Sequence, residues 1–288
     1  MMENLDERKG QLVLVATPLG NLGDITRRAL ELLETADVVY CEDTRHSRTL
    51  FTANEIPMNG RLRALHEHNE ASLCEEIIER VQSGQTVALI TDAGTPGISD
   101  PGSRAVAAVA GAGLTVTTAP GPSAVVAALT ISGLGTDRFI MEGFLPRKAG
   151  ERNELFRRWR NEARTVVFYE SPQRLLASLR ELGEVLPGRK IAVVRELTKL
   201  HEEVVRGSVE DVVARFDGRD VLGEIVVVVD GERVIIDTSD DTIREALADQ
   251  LASGVSTRDA VSYVAESLEV AHRTVYQLAL ELKSGEGR

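Results

Sequence analysis

Between Gln11 and Ser132 a short run that reads as a strand gives way five times, across a polar or glycine- and proline-rich loop, to a segment of helical spacing. The runs are residues 11–16, 37–41, 61–65, 86–90 and 114–118. Alternation of this kind predicts a largely parallel sheet with helices on both faces. The most informative connection is 91–102, Thr-Asp-Ala-Gly-Thr-Pro-Gly-Ile-Ser-Asp-Pro-Gly. Glycine lets a backbone take positive φ or approach a ligand, and proline stiffens the loop. Asp100 before Pro101 predicts a helix start, with a carboxylate cap and proline at the first helical position. A second rigid loop, 119–124, opens a helix of small residues. Loops of this kind bind ligands at strand carboxyl ends in open α/β sheets, and equally serve as plain βα turns.

The second half reads differently. Strands are expected at 138–144, 165–169, 190–196, 203–206 and 223–229, with helices at 150–162, 172–184 and 209–216. Hairpin-like succession there points to a mixed α/β domain. From residue 240 only helices are expected; 256–267 and 270–283, with a break near Glu269, have helix-turn-helix spacing. That segment carries five Lys/Arg against nine Asp/Glu. A DNA-reading unit needs a basic footprint, so DNA is not expected as a partner, and packing or dimer cover suits the helices as well. The expected domains are 11–121 (α/β), 122–235 (mixed α/β, with a ligand cleft between the two) and a helical appendage at 240–288.

A net charge of −12 argues against broad, non-specific nucleic-acid binding, yet one segment runs the other way. Residues 145–165 hold seven Lys/Arg, Arg147 and Lys148 first among them, against three Glu. Such a run is a solvated helix face or a local phosphate-binding face. Two distant cysteines without a CxxC pair, a polar opening at 1–10 and apolar runs too short to span a bilayer point to a cytoplasmic protein with no membrane partner.

Most familiar chemistry is missing. Neither rigid loop fits a phosphate-loop or dinucleotide pattern, no serine sits in a nucleophile elbow, and His66 with His68 lacks a third fixed ligand, so no metal is expected. What remains is an enzyme-like cleft lined by rigid loops, suited to a reaction in which positioning lowers most of the barrier. Methyl transfer from a sulfonium is one such reaction.

Seven motifs in order strengthen that reading: residues 15–24 (Val-Ala-Thr-Pro-Leu-Gly-Asn-Leu-Gly-Asp), 41–45, 65–70 (Leu-His-Glu-His-Asn-Glu), 91–102, 119–124, 168–172 and 195–199. Together they resemble the RsmI, or ribosomal-RNA, branch of the tetrapyrrole-methylase superfamily, the class III methyltransferases. The resemblance spans about 11–230. It implies a homodimer of two-domain α/β chains, with S-adenosyl-L-methionine in the cleft. It also implies 2′-O-methylation of a cytidine ribose in the decoding region of 16S ribosomal RNA, within the small ribosomal subunit. By position in the family pattern, Pro18, Ala93, Gly94, Thr95, Ile98, Ser123 and Ala124 would hold the donor, completed by Glu170 and Gly207 from the second domain. Thr17-Pro18-Leu19-Gly20 replaces the glycine-rich first loop of the tetrapyrrole enzymes, which favours the RNA branch. His66 is the expected proton acceptor, oriented by Asp43 or Glu67, with Asp100 a further candidate to orient the hydroxyl. Arg45, Arg48, His68, Asn69, Arg147 and Lys148 would face RNA. A porphyrinoid C-methyltransferase and a non-enzymatic helix-turn-helix regulator are the alternatives.

Overall fold

In a computed structural model, residues 9–231, 239–268 and 270–285 are described. Outside them lie most of the polar opening, the 232–235 end of the expected second domain, the expected break at Glu269 and residues 286–288. The chain forms two compact units, divided at Glu232.

The first unit contains two sheets. In the first, β1 (Gln11–Val15), β2 (Val38–Cys41), β3 (Leu62–Ala64), β4 (Thr86–Leu89) and β5 (Thr115–Ala119) lie in the order β3-β2-β4-β1-β5, every pairing parallel. Alternate strand residues feed opposite cores, as the period of two requires. Val13, Val15 and Val39 meet helices α1 (Arg27–Thr35) and α2 (Thr44–Ala53). Leu12, Val38 and Leu89 meet α3 (Glu70–Gln82) and α4 (Ser103–Gly111) on the other face. Burial on both faces is why the central strands β1, β2 and β4 read as continuous apolar runs.

Thr26 caps α1, its hydroxyl accepting from the Ala29 amide at 3.1 Å, whereas the start of α4 differs from the sequence reading. Helix α4 begins at Ser103 with Gly102 at the cap position, so Asp100 does not cap it. The cap comes from another element: one oxygen of Glu70, only 4% exposed, accepts from the amides of Gly102, Arg104 and Ala105 at 3.1, 2.8 and 3.0 Å. A carboxylate there also meets the positive end of the helix dipole.

The second sheet joins β6 (Phe139–Phe144), β7 (Thr165–Glu170), β8 (Lys190–Arg195), β9 (Glu203–Ser208) and β10 (Ile225–Val229) in the order β6-β7-β10-β8-β9. Only β6 and β7 pair in parallel; the remaining pairs are antiparallel. One face packs α6 (Ala149–Arg158), α7 (Pro172–Val185) and α8 (Val209–Phe216) through Phe156, Leu175, Leu179 and Val212. The opposite face packs α5 (Ala124–Ser132), whose Val125, Ala128 and Leu129 meet Val167, Val194 and Val226. Leu19, from the loop after β1, enters this same core, so the first sheet's loops are anchored on the second sheet.

The second unit has helices α9 (Asp240–Ala252), α10 (Thr257–Ser267) and α11 (His272–Gly285) around a core of its own that includes Ile243, Leu247, Val264 and Val275. Ser239 and Ser256 cap the first two. No helix among the described residues is long and apolar enough to cross a membrane.

Candidate active site

The loops following β1, β4 and β5 are tied to one another. Thr17 and Gly94 exchange both backbone hydrogen bonds, at 2.9 and 3.0 Å. The Thr17 hydroxyl donates to the Thr91 carbonyl at 3.1 Å, and the Thr95 hydroxyl donates to the Pro122 carbonyl at 3.0 Å. Gly94 takes φ +84° and Gly97 φ +81°, values a side chain would resist. Ser99 holds φ +62° without being glycine, a local strain next to Asp100.

Between these loops and the second sheet lies a cleft of about 310 Å³. Leu19, Ala93, Asp100 and Ala124 line it from the first side, and Phe144, Tyr169, Glu170 and Val194 from the second. Of the residues expected to hold a donor, Ala93, Ala124 and Glu170 thus reach the cleft wall. Pro18, Gly94, Thr95 and Ser123 belong to the tied loops without forming that wall, and Ile98 is exposed beside them. Gly207 sits on β9, paired with Ile191, and is not brought to the cleft.

Glu170 is 2% exposed and its carboxylate is fully engaged. One oxygen accepts from the Ser171 amide and Arg174 Nε, each at 2.7 Å, and the other from the Ser178 hydroxyl at 2.7 Å. The Arg174 guanidinium in turn donates to the Leu145 carbonyl at 3.2 Å. Both oxygens of this carboxylate are thus taken up by protein donors, and Arg174 carries the tie on to the Leu145 carbonyl.

Charge in the cleft is acidic. Asp92, Asp100 and Glu224 all line it. Burial raises Asp100 to about 6, helped by the negative charges of Glu42, Asp92 and Glu224. Burial likewise raises the Tyr169 hydroxyl to about 12, with Asp100 and Glu224 contributing, so it stays protonated. Lys199 bridges Glu196 and the cleft-lining Glu224 at 2.9 and 3.0 Å. Its aliphatic stem packs so tightly on Gly20 that a Cβ there would fall 2.4 Å from Lys199 Cγ.

None of the His66 group forms the cleft wall, but the Asp43 amide donates to Asp92 Oδ1 on that wall at 3.3 Å. Asp43 caps α2 by accepting from the Arg45 amide at 2.8 Å and pairs with the Arg45 guanidinium at 2.9 Å. That hydrogen bonding lowers Asp43 to about 2. Asp43 therefore orients Arg45, not His66. Asn69 occupies the cap position of α3 without a capping bond; its side chain accepts from the His66 amide at 2.8 Å and donates to the Ala64 carbonyl at 3.1 Å. The rings of His66 and His68 meet edge to face with centroids 6.0 Å apart. His66 Nδ1 is buried without a partner, and Glu67 and Arg48 point to solvent. In the basic segment Arg152 is buried against Glu181 and is structural, while Arg147 and Lys148 are exposed, the latter paired with Glu151 at 3.0 Å. Among the described residues no three His, Cys, Asp or Glu side chains are grouped to hold a metal ion.

Sequence reasoning missed Glu70, Asp92, Glu224, Tyr169 and Phe144. Asp92 lies inside a quoted motif and follows a strand, a signal that could have found it. Glu224 and Phe144 carry no local signal, because only tertiary packing brings them to the cleft.

A two-sheet α/β unit whose rigid strand-end loops wall an acidic cleft is the architecture of one methyltransferase class. Residues 11–213 match the model of the Tetrapyrrole (Corrin/Porphyrin) Methylases, and the chain belongs to that family. It is 42% identical over 280 residues to "Ribosomal RNA small subunit methyltransferase I" of Synechocystis sp., covering 96% of this chain and 99% of that one. The protein of the same name from Mycobacterium tuberculosis is 44% identical, with 96% and 97% covered. A Thermotoga maritima protein of that name is 42% identical and 99% covered by 77% of this chain, a length the first unit alone can supply. Crystal structures of the methyltransferase CobJ and of diphthine synthase share the fold, with TM-scores of 0.58 and 0.57 at 20% and 16% identity. The first covers 77% of this chain and 95% of its own, the second 76% and 89%.

Proposed function

We propose that the protein is an S-adenosyl-L-methionine-dependent methyltransferase that methylates the ribose 2′-hydroxyl of a cytidine in the decoding region of small-subunit ribosomal RNA, acting as a homodimer in the cytoplasm. The name shared by relatives that are 42% and 44% identical over 96% of the chain supports the substrate class. The observation that carries the chemistry is Asp100: a half-buried carboxylate in the cleft wall, raised to about 6 and so able to accept a proton near neutral pH.

The cleft fits the donor. Its volume of about 310 Å³ lies at the lower end of ligand pockets, and much of its wall is apolar, with Leu19, Ala93, Ala124 and Val194 on it. The carboxylates of Asp92, Asp100 and Glu224 complement the single positive charge of a sulfonium. When bound, the donor supplies an activated methyl group, whose bond to sulfur breaks as the bond to the acceptor oxygen forms. The chain's residues do the rest. The tied loops hold Ala93 and Ala124 rigid, Leu19 excludes water, and Asp100 takes the hydroxyl proton as attack proceeds. This assigns to Asp100 the role expected of His66. Arg45, Arg48, Arg147 and Lys148 would hold phosphates outside the cleft. An anionic macrocycle would have to enter among carboxylates, whereas a ribose brings a neutral hydroxyl.

The test is transfer of labelled methyl from S-adenosylmethionine to small ribosomal subunits lacking the modification, followed by mapping of alkali-resistant linkages. One labelled cytidine ribose in the decoding region is the expected result. Donor binding without transfer to subunits or free ribosomal RNA would refute the substrate assignment.

A further inference from the structure

Strand β6 contains an irregularity whose effect is to turn one aromatic ring around. Its pairing with β7 runs Ile140↔Val166 and Met141↔Val167, then skips a residue to Gly143↔Phe168 and Phe144↔Tyr169. Met141 and Val167 face the α5 side of the sheet, whereas Phe168 faces the core under α6 and α7. With unbroken alternation from Met141, Phe144 would fall on the Phe168 side. The extra residue reverses it, so that Phe144 shares the side of Tyr169 and opens into the cleft. Bulges that re-aim a side chain are concentrated next to active sites.

Backbone detail shows that the bulge is anchored. Gly143 takes φ +72°, and a Cβ there would sit 3.4 Å from the hydroxyl of Ser99, itself at φ +62°. The bulge thus abuts the loop that carries Asp100. Its product is a phenylalanine left 62% exposed at the cleft mouth. The Phe144 and Tyr169 centroids are 5.3 Å apart with the planes tilted by 51°, so the two rings do not stack face to face and the Phe144 ring remains largely exposed. Burial keeps the Tyr169 hydroxyl neutral at about 12, and that side chain backs the shelf without bringing charge. Carboxylates on the same cleft wall repel phosphate, so a planar, uncharged part of a ligand is what this shelf admits.

We propose that Phe144, backed by Tyr169, is a stacking shelf for the base of the acceptor nucleotide, holding its ribose toward Asp100. The inference rests on the reading of the protein as an RNA ribose methyltransferase. Proteins that select single-stranded RNA splay bases out and stack them on aromatic side chains, and a stacked base fixes its own sugar. Two aromatic rings are available in that reaction, the acceptor base and the donor's purine, and the experiment separates them.

Full-length wild type, Phe144→Ala and Phe144→Trp are compared in single-turnover methylation of unmodified small ribosomal subunits. Binding of S-adenosylmethionine alone is measured by calorimetry, and association state by sedimentation velocity. An exposed ring can be truncated without endangering the fold. Phe144→Ala is expected to raise the half-saturating subunit concentration about ten-fold while leaving donor affinity within about two-fold, and Phe144→Trp to restore it. Unchanged subunit dependence in Phe144→Ala overturns the shelf. A loss of donor affinity with unchanged subunit dependence overturns it in favour of the donor's purine. A change in association state alone overturns it in favour of an interface between copies of the chain. Wild type that binds donor and methylates no RNA would overturn the functional reading, and the shelf with it.

Discussion

Replacing Asp100 with asparagine is expected to make the protein more stable and less active, and the size of the gain follows from the structure. The side chain is held at about 6, against 3.8 for an unperturbed aspartate, chiefly because the cleft strips water from it. A shift of that size disfavours the ionised folded state by about 3 kcal/mol in full. Asp100 is only half-buried, and solvent screening reduces this to about 1.5 kcal/mol. The sign follows from proton counting. Between pH 3.8 and about 6 the folded state keeps a proton that the unfolded chain has released, so stability falls as pH rises through that window. Above about pH 7 the full penalty stands, and below about pH 3 it vanishes. An asparagine side chain at this position, isosteric and uncharged, escapes it. Urea unfolding of D100N and wild type at pH 8 should therefore differ by about 1.5 kcal/mol in favour of the variant, equivalent to about 3–6 °C in melting temperature for a chain of this size. At pH 4.5 the gap should shrink to about a third of that value. The single-turnover rate of D100N should fall by about 100-fold or more, and the wild-type rate should rise with pH through a midpoint near 6. A stability gap that is independent of pH, or a wild type more stable than the variant at pH 8, would refute the reasoning.

Other residues give separable outcomes. Glu70→Ala leaves three helix amides unpaired and should cost about 2–4 kcal/mol in urea unfolding, with Glu70→Gln recovering part of it; equal stability would remove the cross-element cap. His66→Ala should keep its single-turnover rate within about three-fold of wild type, and a loss near 100-fold would return the proton to His66. Arg147→Ala with Lys148→Ala should weaken subunit binding and lower the salt slope by about 2, without changing donor affinity; an unaltered slope would take those side chains off the RNA.

The sequence made the first sheet readable because its signal is local and repeated. The central strands β1, β2 and β4 are buried on both faces, so their apolar runs need no knowledge of what covers them. The order β3-β2-β4-β1-β5 follows from no single run, but the parallel arrangement does. The candidate cleft was legible in the two rigid loops that carry its lining residues Ala93 and Ala124, where glycine and proline announce their own backbone. It was misread where a residue's partner is distant in sequence. Asp100-Pro101 has every local mark of a helix cap, yet Glu70, about thirty positions away, takes those amides and leaves Asp100 free for the cleft. Glu170 does reach the cleft wall where the family pattern puts a donor contact, while the pairing of its carboxylate with Arg174 and Ser178, one and two turns further along α7, is beyond a local reading. Phe144 is invisible to strand alternation because the bulge inverts the face on which alternation would put it.

These misreadings share a cause that bears on mechanism. On each side of the cleft a buried glutamate spends its hydrogen bonds on the protein itself: Glu70 ties the start of α3 to the loop bearing Asp100, and Glu170 ties Ser171, through Arg174, to the strand end bearing Phe144. Glu70 is not on the cleft wall and Glu170 has both oxygens engaged, so neither is a reacting group, and both are costly to bury unless partnered. A fold meets that cost where a loop has to be held in one position. The residues left unspent, Asp100 with its raised proton affinity and Phe144 with its exposed ring, are the ones those ties hold in place. Methyl transfer asks the protein for alignment more than for bond chemistry, and this division between anchored carboxylates and a free one matches that demand.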